Sequence, residues 1–199
     1  MMMTPRASTK AHPISAEAQT TEAWRGLAPD YERARVREDS LDRLVEWPAQ
    51  RDLLGDVTGR SILDLGCGSG SKLAELVADG AIDSVGLDIS DNFLADTPAG
   101  MELVRGDLSD LNTVPVLTER TLDRILFQQS FDYAKDPVRT LKQARRMLTE
   151  DGFILLTRTQ PIRYAIERSE QNGTALGQEY FSTADYTYRP RRNEQIALT

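Results

Sequence analysis

Ser61-Ile62-Leu63-Asp64-Leu65-Gly66-Cys67-Gly68-Ser69-Gly70 is a short apolar stretch that runs through one acid into a glycine-rich loop. Ile62, Leu63 and Leu65 make the continuous apolar run of a strand buried on both faces. Gly66, Gly68 and Gly70 let the backbone turn sharply and approach a ligand with no Cβ in the way. Beyond the loop, Lys72, Leu73, Leu76 and Val77 recur at helical spacing, with Glu75 and Asp79 on another face. A strand–loop–helix unit aims a helix N-terminus at whatever lies over the loop, and that end favours anionic or acceptor groups.

The details of the loop narrow the ligand. A dinucleotide fingerprint requires its third glycine at position 71, where this chain has Ser71. Asp64, just ahead of the loop, is poorly placed beside a doubly charged pyrophosphate. A phosphate-binding P-loop is excluded, because no Gly-Lys-Ser/Thr follows at the required distance. Asp64 suits a ligand with an ammonium-bearing end and no phosphate. S-adenosylmethionine has that character: an amino-acid ammonium, a sulfonium and one carboxylate for backbone N–H groups.

Asp64-Leu65-Gly66-Cys67-Gly68-Ser69-Gly70 resembles the first motif of class I S-adenosylmethionine-dependent methyltransferases, and the likeness continues in register. Ser84-Val-Gly-Leu-Asp88-Ile89-Ser90 resembles the second strand, ending in the acid that grips the ribose hydroxyls. Glu102-Leu-Val-Arg-Gly106-Asp107-Leu108 resembles the third strand and the acid that meets the adenine amino group. Leu122–Gln129 resembles the fourth strand, whose end lies beside the sulfonium, and Asp151–Arg158 the fifth. The likeness covers roughly residues 22–160. It implies an open, mostly parallel, doubly wound Rossmann-like α/β sheet with S-adenosylmethionine as cofactor. The cofactor-binding residues it implies are Asp64, Gly66, Cys67, Gly68, Gly70, Asp88, Ile89, Asp107, Leu108 and Gln128. In many methyltransferases a segment ahead of the core closes over the methionine moiety, and Trp24 and Tyr31 are the candidates for that lid.

Outside the motifs, residues 1–20 read as a disordered tail that contains His12, the only histidine. One domain is expected over 21–199: a helical lid over 21–58, the core over 59–160 and an extension over 161–199. The lid reads as two helices broken near Pro29 and ended by Pro48, with Leu53 and Leu54 packing ahead of the first strand. Core helices are expected over 70–79, near 90–96, over 110–118 with an interruption at Pro115, and over 136–148 with Pro137 in its first turn. A further helix over 162–171 ends near Asn172-Gly173. About 40 residues remain after Thr159, too few for the helix and hairpin that usually complete this fold. Tyr180, Phe181, Tyr186, Tyr188 and the run Gln195-Ile-Ala-Leu stand there instead. The aromatics either wall a substrate pocket or fill the place of the missing hairpin. The sheet edge left at the fifth strand calls for a cover, by a second copy of the chain or by a partner chain.

Composition bounds the function. The 199 residues are 40% hydrophobic, enough for one core. No run is long and apolar enough to span a bilayer, and the N-terminal stretch lacks the apolar centre of a signal peptide, so a cytoplasmic protein is expected. The single cysteine, Cys67, allows no internal disulfide and suits a reducing compartment. A net charge of −7 argues against nucleic acid as a partner and for a small-molecule acceptor, in specialised biosynthesis. The basic groups Arg139, Lys142, Arg145 and Arg146 read as a solvated helix face. No metal is called for. Many small-molecule methyltransferases carry a histidine after the fourth strand, where this chain has Gln128-Gln129-Ser130-Phe131-Asp132-Tyr133. Gln129, Asp132 and Tyr133 are therefore the candidate catalytic residues, as proton acceptor or substrate orienter. Methyl transfer to O, N or C is the expected reaction. The alternatives are a non-methylating use of the cofactor, such as cyclisation of its side chain, or a partner-dependent binding subunit.

Overall fold

The computed structural model describes residues 24, 26, 30–92, 97–158 and 160–182, which divide into two compact units, one ending at Arg158 and the other beginning at Thr159. The expected helix near 90–96 lies largely outside the described residues, as do Tyr186, Tyr188 and residues 195–198.

The first unit is built on five strands: β1 (Ser61–Leu65), β2 (Ile82–Asp88), β3 (Met101–Arg105), β4 (Leu122–Gln128) and β5 (Leu148–Thr157). All pair in parallel in the order β3-β2-β1-β4-β5, so the chain order reverses between β1 and β4. In open α/β sheets ligands bind at the carboxyl ends of the strands flanking that switch point. The strand period of two divides the core between the sheet faces. Leu63, Leu65, Val85, Leu87, Ile125 and Phe127 face one side, covered by α3 (Pro137–Arg146) and by the turns at Leu111–Thr113 and Pro115–Leu117. Ile62 and Leu126 face the other, covered by α1 (Trp47–Leu54) and α2 (Ser71–Ala78) through Leu54, Leu73 and Leu76.

Four expectations are corrected. Pro48 does not end the lid helix: the chain is helical from Asp42 to Leu54, and Pro48 falls in the first turn of α1 after a π-helical turn over Asp42–Glu46. That looser turn relieves the clash of the proline ring with the carbonyl four residues back, and Pro48 has no N–H to leave unpaired. Leu54 is buried inside α1, whereas Leu53 faces solvent. Residues 110–118 form two single 3₁₀ turns, because Pro115 opens the second. The helix expected to reach 148 stops at Arg146, and β5 begins at Leu148 rather than at 151, pairing first with Leu122. Its start was concealed because Glu150-Asp151-Gly152 interrupts the apolar pattern where the register with β4 also shifts. Asp136 caps α3 by accepting the Arg139 N–H at 3.0 Å.

In the second unit α4 (Pro161–Asn172) ends at Gly173, whose φ of 66° supplies the left-handed cap. A short helix, α5 (Leu176–Tyr180), was not foreseen. Its buried Glu179 accepts from Thr174 Oγ1 at 2.6 Å and pairs with Arg168 at 3.2 Å, which ties α5 to α4.

Candidate functional site

A cavity of about 290 Å³ opens at the carboxyl ends of β1, β2 and β4, where the strand order reverses. Alternation along β1 puts Asp64 on the same face as Ile62, and alternation along β4 puts Gln128 on the same face as Leu126, the register partner of Asp64. The two polar ends therefore meet. Gln128 Nε2 donates to Asp64 Oδ2 at 3.0 Å. Asp64 Oδ1 and Gln128 Oε1 are buried and have no protein partner. Burial pushes the Asp64 carboxyl up to about 7, against the opposing pull of Lys72 and Arg35.

The glycine loop is held by β2. Gly66 and Cys67 N–H groups donate to the Leu87 carbonyl at 2.7 and 3.1 Å, and Gly68 N–H donates to Asp88 Oδ2 at 2.9 Å. Asp88 Oδ1 accepts from the N–H and the hydroxyl of Ser90, both at 2.9 Å, so the carboxylate is fixed with one lone pair remaining, on Oδ2. Gly66 has φ +79°, and a Cβ there would come 2.3 Å from Ser130 Cβ. At the β3 end Asp107 accepts from the Ser109 N–H at 2.8 Å and from Lys135 Nζ at 2.7 Å. Burial raises its carboxyl, but the bonds from Lys135 and Ser109 outweigh that and bring it below its ordinary value.

Most of the residues named from sequence line this one cavity: Trp24, Tyr31, Asp64, Gly66, Cys67 and Gly68, then Asp88, Ile89, Asp107 and Leu108, and finally Gln128, Gln129 and Tyr133. Two do not. Gly70 has φ +86° at the start of α2, and a Cβ there would strike Leu103 and Met101 of β3, so its lack of a side chain serves packing. Asp132 is outside the lining and pairs with Arg158 at 2.8 Å. Burial pushes the Cys67 thiol well up, which keeps it protonated. Gln129 adopts φ +57°, uncommon for a side-chain-bearing residue, and its Nε2 donates to Glu46 at 3.4 Å.

Sequence reasoning missed the charged residues of the lid. Arg35 Nη1 meets Glu32 at 3.2 Å, Arg35 Nε meets Asp42 at 3.5 Å, and Lys72 Nζ meets Asp42 at 2.5 Å; all four residues line the cavity. Lys72 had left a signal, since it stands at an apolar position of an otherwise apolar helix face. Arg35 lies one helical turn after Tyr31, on the same face.

The fit to S-adenosylmethionine rests on these features. Asp64 lines the cavity and keeps one buried carboxylate oxygen without a protein partner, the kind of acceptor an ammonium needs. Gly68 lines the cavity without a side chain, where a Cβ would come 3.3 Å from Glu32, and fixed acids stand at the end of β2 and just beyond β3.

Residues 63–156 match the family described as a methyltransferase domain. The chain is 30% identical to an S-adenosylmethionine-dependent methyltransferase from Mesorhizobium loti, with 63% of this chain and 59% of that chain covered and a TM-score of 0.56. It is 31% identical to the tRNA U34 carboxymethyltransferase of Edwardsiella ictaluri over 73% of this chain and 45% of that protein. A structure of the Haloferax volcanii Trm112 methyltransferase activator in complex with a methyltransferase shares the fold at 22% identity, with a TM-score of 0.58 over 76% of this chain and 66% of that chain. The chain spans about half the length of the curated relatives it matches. The family match, the fold and the sheet order together support a methyltransferase domain of the class I, S-adenosylmethionine-dependent type over residues 63–156, with S-adenosylmethionine as its cofactor.

Proposed function

We propose that this protein transfers a methyl group from S-adenosylmethionine to a small organic acceptor. The observation that carries the reading is Asp64, which lines the cavity together with Asp88 and Asp107 and holds a buried oxygen unpartnered within the protein. Asp64 would take the cofactor's ammonium, Asp88 its ribose and Asp107 its adenine. When bound, the cofactor supplies an electrophilic methyl on a sulfonium, a leaving group that needs no acid. The chain's part is then positioning and exclusion of water, by Trp24, Tyr31 and Tyr133 at the β4 end. Gln129 and Tyr133 would orient the acceptor. Asp132, held by Arg158, would act from outside the lining as a support for that turn.

Incubation with methyl-labelled cofactor and profiling of the nucleoside products tests this. Formation of S-adenosylhomocysteine is expected, and release of methylthioadenosine would sink methyl transfer. The acidic chain favours a small acceptor, while the Edwardsiella ictaluri relative points to tRNA; label in the small-molecule or the RNA fraction decides between them. A partner-dependent activity is the second reading. It is supported by β5, which pairs only with β4 among the described residues, and by the neighbour solved with an activator. It predicts cofactor binding without turnover until a second chain is added. A homodimer closing the same edge would appear as a doubled mass in solution.

A further inference from the structure

The β4 end of the cavity is aromatic. The Trp24 ring meets Tyr31 edge-on, with centroids 5.6 Å apart and planes at 84°, and meets Tyr133 at 5.5 Å and 78°. The three rings come from separate places in the chain, Tyr133 from the single turn after β4, and all line the cavity. Tyr31 and Tyr133 remain roughly four-tenths to one-half exposed, at 37% and 49%, which puts the corner at the cavity mouth. The three rings pack edge-to-face on one another, and such a cluster attracts a cation that comes within about 6 Å of a ring face. Tyr31 already faces one cation, with the Arg35 guanidinium 5.7 Å from its centroid, and that charge is neutralised by Glu32 and Asp42.

The ionisable groups around the corner argue in the same direction. Arg35, Lys72 and Lys135 each meet a carboxylate, which leaves Asp88, joined by Asp64 above about pH 7, as the cavity's excess charge. The field therefore draws cations in. Of the acids near the aromatic corner, Glu32 and Asp42 meet Arg35, Asp132 meets Arg158, and Glu46 accepts from the Gln129 amide at 3.4 Å. An alkylammonium is drawn by the same negative lining, and once it has given its proton to solvent its neutral form carries the lone pair that attacks.

We infer that Trp24, Tyr31 and Tyr133 form the acceptor subsite and that the acceptor is a small alkylamine, bound through its ammonium form before transfer and released as a more highly methylated ammonium afterwards. This rests on the methyltransferase reading above. At the mouth, where Tyr31 and Tyr133 are part exposed, the alkylammonium first gives up its proton to bulk water. The amine's lone pair then bonds to the methyl carbon while the carbon–sulfur pair returns to sulfur, leaving a thioether and an alkylammonium product.

Calorimetric titration of the full chain, saturated with S-adenosylhomocysteine, against choline and against its uncharged tert-butyl analogue tests the subsite by binding alone. Choline is expected to bind at least about tenfold more tightly than the analogue. Trp24→Leu and Tyr133→Leu are expected to erase that preference, and Tyr133→Phe to keep it. Equal binding of the two probes, or a preference that survives Trp24→Leu, overturns the inference. Choline that competes with S-adenosylmethionine yet does not bind beside S-adenosylhomocysteine also overturns it, because the rings would then hold the cofactor's own sulfonium. Affinity for S-adenosylhomocysteine is measured first: its absence refutes the cofactor reading, whereas its presence without choline binding refutes the acceptor subsite alone.

Discussion

Asp64 is a buried acid whose carboxyl is raised to about 7, well above the ordinary carboxylate value, because burial outweighs the nearby Lys72 and Arg35. The folded chain therefore binds more protons than the unfolded chain between the ordinary carboxylate range and about 7. This group makes stability fall as pH rises through that window, with no further change above it. An ammonium-bearing ligand favours the ionised form, so affinity for S-adenosylhomocysteine should rise as pH climbs through neutrality. Asp64→Asn should remove both slopes, raise the melting temperature of the ligand-free protein at alkaline pH, and weaken the ligand about tenfold or more. Melting curves and calorimetry across pH check the pair, and a ligand affinity that stays flat with pH in the unsubstituted protein would count against it. Asp88→Ala removes two fixed acceptors and should weaken the same ligand at least about a hundredfold; unchanged affinity in calorimetry refutes the ribose assignment.

The strand–loop–helix element depends on where glycine is obligatory. Gly66→Ala would force a Cβ into Ser130 and a side chain into positive φ, so a loss of about 1–3 kcal/mol is expected in urea unfolding. Gly55 and Gly59 have similar φ values, 65° and 69°, with nothing within 4 Å of a Cβ, so alanine there should cost only about 1 kcal/mol. A Gly66→Ala loss no larger than theirs would refute close packing at the loop. The cap of α3 is a separate term: Asp136→Ala should cost about 1 kcal/mol. The loop and its helix were legible because their chemistry is local. The turn at Pro48 was not, since the widening that admits the proline comes from residues before it whose sequence gives no π-helix signal. The start of β5 was likewise set by pairing with Leu122 across the sheet.

Charge acts over the full chain. The full sequence carries a net charge of −7, and Arg139 of α3 is paired with Asp110, a balance that disfavours phosphates on the whole. Bulk tRNA in physiological salt is expected to bind no more tightly than the nonspecific range of about 10⁻⁴–10⁻⁶ M. Fluorescence anisotropy with labelled tRNA measures this, and a tighter complex that resists added salt would favour a tRNA acceptor over a small one.

The sequence by itself determined the sheet class, the glycine loop and the acids after β2 and β3, because each is a short-range pattern with one conformational solution. It also placed Gln129 and Tyr133 after β4. Only the tertiary structure decided which side chains share the cavity. It brought Asp42, paired with Arg35, against Lys72 from the segment ahead of β1, carried Gly70 and Asp132 out of the lining, and set Trp24 between Tyr31 and Tyr133. Those contacts join residues up to about a hundred positions apart, and their energies depend on burial and on the neighbouring charge, which no local window of sequence contains.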